Sequence, residues 1–316
     1  MCGPDSRGPW LGAVQLLPGN SRGGGPGLRG GLAVHPHAHH PVRCRDTMRE
    51  EVDTSDLPLD SYPELILTGE RTLPGVREEN YWFQRHLVAY DYVLSLAEDK
   101  RVLDLGCGEG YGTCLLSSRA AQVAGVDLAP EAIYHARGKY RRPNLRFLYS
   151  DIYDLDMEDD SFDLVCSLQV IEHLHEPARF MREARRVLAP GGLCVITTPN
   201  RLLISPGRDE PVNPFHIIEY DSHQFFDFMR GFFDRVDMLG LFHARLLRLH
   251  DLMSRRNFSR FCLEIPPLLD RFFYRPLFIP RIGTRDFALR RQDLQDALDF
   301  IAVGFKPAAM REPGES

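Results

Sequence analysis

Val102-Leu103-Asp104-Leu105-Gly106-Cys107-Gly108-Glu109-Gly110-Tyr111-Gly112 is the stretch whose reading decides the fold. A short run of strand composition breaks into a turn that alternates glycine with other residues. A second apolar run, Val123-Ala124-Gly125-Val126-Asp127-Leu128, ends on a carboxylate. Glycine is required where bare backbone must approach a ligand or adopt positive φ. A dinucleotide-binding turn spaces its glycines as G-x-G-x-x-G so that a pyrophosphate can sit on a helix N-terminus. Counted from Gly106, Gly108 or Gly110, the third glycine of that pattern falls on Tyr111, Thr113 or Leu115, so it fails in every register. The pattern that fits is acid-x-G-x-G-x-G, with Asp104 leading Gly106, Gly108 and Gly110. An acid aimed at the ligand suits a positively charged molecule and repels a diphosphate.

With those residues in place, the segment resembles motif I of the class I S-adenosylmethionine-dependent methyltransferases. Their cofactor carries a sulfonium and an ammonium and no phosphate. Further pieces recur in that family's order. Leu145-Arg146-Phe147-Leu148 reads as a third strand, leading to Ser150-Asp151-Ile152. Ser161 to Ser167 reads as a fourth, running into Leu168-Gln169-Val170-Ile171-Glu172-His173-Leu174. A helix from Pro177 to Leu188 and a turn at Ala189-Pro190-Gly191 precede a fifth strand, Gly191 to Thr198. Val236 to Leu239 and Leu298 to Phe305 complete the set. The resemblance implies an α/β, Rossmann-like, seven-stranded, mostly parallel sheet with helices on both faces. The last strand is expected antiparallel, at the sheet edge. It also implies S-adenosyl-L-methionine as cofactor, held by Asp104, Gly106, Cys107, Gly108, Gly110, Asp127, Leu128, Asp151, Ile152 and Gln169. Asp127 would accept the ribose hydroxyls, Asp151 the adenine amine, and Ile152 would pack on the ring. Taken alone, Asp127 reads equally as a strand-ending turn residue.

The chain has 316 residues, enough for one large core with appendages. Residues 1–49 are crowded with Gly, Pro, Arg and His, as in Gly23-Gly24-Gly25-Pro26-Gly27 and His35-Pro36-His37-Ala38-His39-His40. Such a composition buries too little apolar surface to offset ordering entropy, so disorder is expected. The histidine tract reads as solvated low-complexity chain before it reads as a metal site. Met48 heads the first acidic, domain-like segment and is a candidate initiator. The remaining parts are a cap segment with a helix over 50–98, a cofactor-binding core over 99–240 containing an acceptor loop at 199–223, a helical insertion over 241–295, a final strand over 296–308 and a disordered tail over 309–316. The insertion reads as a lid, a dimer patch for a homodimer, or extra packing on the sheet.

No apolar run of spanning length and no apolar leader are legible. Seven cysteines, none spaced C-x-x-C, fit a reducing cytoplasm, with Cys107, Cys166 and Cys194 as small buried hydrophobes. A net charge of −6 with scattered basic residues gives no positive stripe for nucleic acid.

Between the arm and the first strand, an amphipathic helix over Glu78 to Leu96 gathers Tyr81, Trp82, Phe83 and Arg85 on its early turns. The aromatics are either core plugs or cover for the cofactor and acceptor. Arg85 is the candidate for the cofactor carboxylate, since a guanidinium fork matches a carboxylate. Methyl transfer to an alcohol requires alignment and a base. The candidate catalytic residues are Glu172 and His173 after the fourth strand and, above all, His216 in the long loop after the fifth. Asn200, Arg208, Asn213, His216 and Glu219, with Tyr81 and Trp82, are the candidate acceptor-binding residues. This polar set suits a polyhydroxylated small molecule or oligosaccharide. Gly69-Glu70-Arg71, Glu79 to Phe83, Ser205 to Asp209 and Asn213 to His216 also resemble actinobacterial methyltransferases of polysaccharide biosynthesis. That resemblance implies O-methylation of a sugar hydroxyl. A quinone precursor or a carboxylate is the alternative acceptor, and a non-catalytic binding protein the alternative class. Glu172, His173, Asp209 and Glu210 are compatible with a divalent cation, but no metal-ligand spacing compels one.

Overall fold

Strand β1 (Arg101–Leu105) is followed by a glycine turn, helix α2 (Tyr111–Leu116) and strand β2 (Gln122–Asp127), the unit expected from the opening motif. The computed structural model describes residues 72–208, 210–248 and 276–308. The expected disordered arm and tail, the Met48 start, the cap segment before residue 72 and residues 249–275 of the 241–295 insertion lie outside the described residues. Helix α1 (Asn80–Leu96) precedes β1, entered through a single 3-10 turn at Arg77–Glu79. After β2 come α3 (Pro130–Lys139), β3 (Leu145–Tyr149), β4 (Phe162–Leu168), α4 (Pro177–Val187), β5 (Leu188–Pro199), α5 (Arg201–Ile204), α6 (Ser222–Arg230), β6 (Arg235–His243), β7 (Phe287–Arg290) and β8 (Asp299–Phe305).

The sheet has eight strands in the order β3-β2-β1-β4-β5-β8-β6-β7. From β3 to β5 every pairing is parallel, and β8 runs antiparallel to both β5 and β6. Three expectations are corrected here. The count is eight rather than seven, because β6 continues to His243 and β7 pairs beside it within the stretch read as helical insertion. The last strand of the chain is antiparallel as expected, but it lies inside the sheet and not at its edge. Its residues explain why: six of the seven are buried, a pattern that belongs to a strand covered on both faces. The residues read as the Ala189 turn instead form an irregular start to β5, with a register shift against β4 and Gly191 at φ 81°.

Alternate side chains of each strand feed two layers. Leu103, Leu105, Val165, Ile196, Phe300 and Ala302 pack with Phe180, Met181 and Ala184 of α4 and Phe225 and Met229 of α6. On the opposite face Val102, Leu164, Cys166, Val195, Ile301 and Val303 meet Ala89, Tyr90 and Val93 of α1, Leu116 of α2, and Ile133 and Ala136 of α3. Each fully buried Leu or Phe contributes about 1.5–3 kcal/mol relative to exposure. Local signals set the helix ends. Pro130 and Pro177 open α3 and α4 at the first helical position, where a missing N–H is not needed. Asp221 caps α6 and forms a capping box with Gln224.

One buried ion pair fastens α1 to the sheet. Arg85 Nε donates to Asp299 Oδ2 at 2.6 Å, its Nη2 donates to Asp299 Oδ1, and the same nitrogen donates to the Leu298 carbonyl at 3.0 Å. Burial disfavours the guanidinium charge, but Asp299 more than restores it and the group stays protonated. Removing one partner of such a pair leaves an uncompensated buried charge, at about 3–5 kcal/mol. Arg85→Ala is therefore expected to lower the urea-unfolding free energy by about that amount, whereas Arg85→Met combined with Asp299→Leu should lower it less. Equal losses in the single and double variants would show that the pair is not what holds α1 in place.

Candidate functional site

A cavity of ≈ 360 Å³ opens at the carboxyl ends of β1, β4 and β5, where open α/β sheets bind their ligands. Its floor is the glycine turn, with Gly106, Gly108 and Gly110 at φ 76°, 53° and 92°. A Cβ on Gly106 would lie 2.5 Å from Val170 Cγ2, and one on Gly110 would lie 2.8 Å from both Ala136 Cβ and the Phe147 ring. Sterics and backbone sign thus both demand glycine there. Asp127 accepts from the Gly108 N–H at 2.8 Å and the Ala129 N–H at 2.9 Å, tying the turn to the end of β2.

Asp104 lies beneath the turn instead of facing the cavity, which corrects its expected direct aim at the ligand. It is fully buried. Thr113 Oγ1 and Tyr90 Oη donate to its Oδ2 at 2.7 and 3.2 Å, and Cys166 Sγ lies 3.6 Å from Oδ1. Burial pushes its carboxyl up to about 6, with the charge of Asp127 adding, while the Thr113, Cys166 and Tyr90 bonds pull it down. Glu109, another buried carboxylate, latches the turn to α3 through Lys139, through Tyr140 Oη at 2.8 Å and through His135 Nε2 at 3.2 Å.

Opposite the turn stands Gln169, a non-glycine residue at φ 58°. Such backbone costs about 1–3 kcal/mol and persists where surroundings over-determine it. Here the Gln169 N–H and Nε2 both donate to Thr197 Oγ1, at 3.0 and 3.2 Å. The next residues form a 3-10 turn, Ile171–His173. It presents Glu172 and His173 to the cavity, and Asn213 and His216 of the following loop line the same wall. Burial raises the Glu172 carboxyl to about 8, with Asp299 and Glu219 adding against lowering hydrogen bonds that include Thr198.

The loop fixes the histidine tautomer. The Phe215 N–H donates to Asn213 Oδ1 at 3.0 Å, so the Asn213 Nδ2 must be the group facing His216 Nε2 at 2.9 Å. Nε2 is then the acceptor, and the proton sits on Nδ1, which donates to Glu219 Oε1 at 2.7 Å. Glu219 is buried, and its Oε2 has no hydrogen-bond partner.

Of the residues singled out in the sequence, Gly106, Cys107, Gly108, Trp82, Arg85, Gln169, Glu172, His173, Asn213 and His216 line this one cavity. Asp127, Leu128, Asp151 and Ile152 do not line it. Asp127 and Asp151 sit at the ends of the neighbouring strands β2 and β3, where Asp151 accepts from the Tyr153 N–H at 2.9 Å and Leu128 is 58% exposed. Five expectations are corrected. Tyr81 is buried against His243 and Phe287, with its Oη 2.8 Å from His243 Nε2, so it belongs to the core under β6 and β7. Asn200 is fully buried: it caps α5 and donates to the carbonyls of Gln295 and Ala297. Arg208 is exposed and lies off the cavity. Glu219 stands behind His216 and is no direct hydroxyl binder. Arg85 turns its fork toward Asp299, not toward an open carboxylate site. Asp209 lies outside the described residues.

Sequence reasoning missed Asp299, Thr113, Tyr90 and Glu109, and the cavity-lining Thr72, Glu78, Glu79 and His86. An acid heading the apolar run Phe300 to Phe305 was the available signal for Asp299. Burial beside Arg85 pushes His86 down to about 4, so it is neutral.

The fold and the glycine cradle together define a nucleoside-cofactor enzyme of the α/β class. Residues 103–196 match the family described as "Methyltransferase domain". A Mycobacterium tuberculosis protein named "Probable S-adenosylmethionine-dependent methyltransferase" is 39% identical over 252 residues, 77% of this chain and 90% of that protein. A Mycolicibacterium smegmatis protein of the same name is 38% identical, over 77% of this chain and 96% of the other. Among solved structures, a Thermotoga maritima protein titled as a possible histamine N-methyltransferase aligns with a TM-score of 0.51 at 16% identity, covering 73% of this chain and 96% of the other. The last likeness shows the fold alone. The chain belongs to the S-adenosylmethionine-dependent methyltransferases, and S-adenosylmethionine is its cofactor. A turn that only glycine can form, above a buried carboxylate, fits the cationic cofactor. Among the described residues no helix is long and apolar enough to cross a membrane.

The raised carboxyl of Asp104 has a definite sign. A carboxyl whose folded pKa lies above its unfolded value of about 3.9 stabilises the fold while protonated, and that contribution is lost as pH rises through about 6. At neutral pH the ionised group therefore weighs against the empty fold, and a cation above the turn offsets it. Calorimetric affinity for S-adenosylmethionine is expected to fall about tenfold between pH 7.5 and pH 5, one unit below the shifted value. In Asp104→Asn it should be weak and nearly flat with pH. A flat profile in the unmodified protein would refute this role.

Proposed function

We propose that the chain O-methylates a hydroxyl of a sugar or oligosaccharide, with His216 as general base. The observation that carries the reading is the orientation of His216. Its Nδ1 proton is held by Glu219, and its Nε2 lone pair accepts from the Asn213 amide within the cavity that Gln169 and the glycine turn also line. When bound, the cofactor supplies an activated methyl group on a sulfonium. The protein must then align the acceptor and remove one proton.

In this reading the acceptor hydroxyl displaces the Asn213 amide from His216 Nε2 and passes its proton there as the oxygen attacks. Glu219 stabilises the resulting imidazolium through the Nδ1 bond, and its partnerless Oε2 keeps that carboxylate from being satisfied elsewhere. Trp82 offers an apolar face at the cavity and carries the Arg85 guanidinium 5.0 Å from its ring centre. Asn213, Thr72 and Glu78 supply polar edges. Such a lining suits a neutral polyol, because a flat apolar acceptor would leave these groups unpaired at about 1–3 kcal/mol each.

The alternative acceptor, a quinone precursor or a carboxylate, draws on relatives named "Ubiquinone biosynthesis O-methyltransferase". One from Psychrobacter arcticus is 36% identical, over only 32% of this chain and 42% of that protein. Glu78 and Glu79 on the cavity wall argue against an anionic acceptor, since the cation that would meet it, Arg85, is held by Asp299. Cys107, Cys166 and Cys194 are buried and free of disulfides, which supports a reducing cytoplasm as the site of action.

Tritiated methyl transfer should appear with mannose- or glucose-based oligosaccharides and not with quinols or short acids. The reverse pattern would replace the proposed acceptor class, and labelling of none of them, with the cofactor bound, would favour a binding protein. His216→Ala should lower kcat by about 10²–10⁴-fold, the usual worth of a positioned base, while cofactor affinity stays unchanged. Unchanged turnover would make His216 structural.

A further inference from the structure

Glu172, His173 and His216 each offer one ligand atom, and those atoms lie within 4.8 Å of one another at the cavity wall. Two imidazoles and one carboxylate form a donor set that favours first-row transition ions over Mg²⁺ or Ca²⁺, which prefer oxygen. The surroundings also hold each ligand in a coordinating orientation. His173 Nδ1 donates to the Phe215 carbonyl at 2.8 Å, so its lone pair is on Nε2. His216 Nδ1 donates to Glu219, and its lone pair is likewise on Nε2. Thr198 Oγ1 donates to Glu172 Oε2 at 3.2 Å and fixes that carboxyl. Carbonyl and carboxylate partners on the remote ring nitrogens are the arrangement that orients metal-bound histidines. The rings of His173 and His216 stand nearly perpendicular, 80° apart with centres 5.0 Å apart. Ligand atoms about 2.0–2.1 Å from a tetrahedral ion lie roughly 3.3 Å from each other, so the cluster, at 4.8 Å or less, must close by at most about 1.5 Å.

We propose that Glu172, His173 and His216 form a binding site for a divalent transition ion of the Zn²⁺ class, and that the ion, by taking the His216 lone pair, blocks methyl transfer. The blocking rests on the reading of His216 as the base. The binding itself does not. Coordination displaces the Asn213 amide from Nε2 and any proton from Glu172, and Glu219 remains as the outer partner of His216.

The test uses the full-length chain with His35, His37, His39 and His40 replaced by Ala, which removes a competing imidazole tract. Co²⁺ is titrated while its visible absorption is followed, then displaced by Zn²⁺, with Mg²⁺ as the control. One equivalent of Co²⁺ should bind, Zn²⁺ should displace it, and Mg²⁺ should not. His173→Ala and Glu172→Gln should each weaken binding at least tenfold, and Glu219→Gln about 10–100-fold, as an outer-shell loss does. An unchanged thermal-unfolding midpoint of metal-free His173→Ala, the mildest of these changes, certifies the fold. Binding that survives both ligand variants, or no binding at all, overturns the site and leaves the His216→Ala result to judge the base. Zn²⁺ should inhibit turnover over the concentration range in which it binds, reversibly with chelator. Stimulation, or saturation without inhibition, overturns the blocking role.

Discussion

The carboxylate of Asp104 sits at the end of β1 with no exposure to solvent, and the surrounding architecture is arranged to hold it there. Thr113 from α2 and Tyr90 from α1 both donate to one oxygen, and Cys166 from β4 approaches the other. Three elements on three sides of the turn are therefore registered by one acceptor. Above it the chain must climb over a buried charge and re-enter a helix within a few residues, which explains three positive-φ glycines in alternation. Gly112, whose added Cβ would fall inside the Tyr90 ring, belongs to the same constraint: Tyr90 can reach Asp104 only by passing that glycine.

The Arg85–Asp299 pair does for the other side of the cavity what Asp104 does for the floor. It links the first described helix to the last strand, and the sequence separation of 214 means that the cavity closes only when the whole sheet has assembled. Its second consequence is electrostatic. With the guanidinium bound to Asp299, the wall formed by Glu78 and Glu79 keeps its acidic character. The burial of Glu172, near two other carboxylates, keeps that one group largely protonated at neutral pH. A neutral carboxyl can donate a hydrogen bond as well as accept one, which suits a polyhydroxylated partner better than an anion.

The parallel half of the sheet was legible because its signals are local. Apolar runs of strand length, glycines at a decisive spacing and prolines at helix starts state the β1 to β5 order without help from the rest of the chain. The far half was not, for a physical reason. Strand β7 is only four residues long and gains its identity by pairing with β6, and the interior position of β8 depends on a crossover that no local pattern encodes. The site divides in the same way. Gln169, Glu172, His173, Asn213 and His216 are polar residues in loops at strand ends, where polarity is visible and functional residues concentrate. Asn200 and Tyr81 looked equally polar or aromatic, yet their hydrogen-bonding groups meet the backbone of Gln295 and Ala297 and the ring of His243. Those partners lie 95 to 162 residues away, beyond any local reading.

The same distance argument separates the two histidines that define the wall. His173 follows β4 and is oriented by the Phe215 carbonyl, 42 residues on. His216 is oriented by partners within three residues, Asn213 and Glu219. The backbone joins the two: the Ile217 and Ile218 N–H groups both donate to the Glu172 carbonyl, at 2.7 and 3.1 Å. The orientation of His216 is thus prepared locally, and only the docking of its loop onto the 3-10 turn needs the folded sheet. Docking brings Glu172, His173 and His216 together in one step. Any group that binds all three atoms, whether an acceptor hydroxyl pair or a metal ion, also stabilises the docked loop by mass action. Whatever loosens that contact, even far from Asp104, would disperse the wall while leaving the glycine cradle intact.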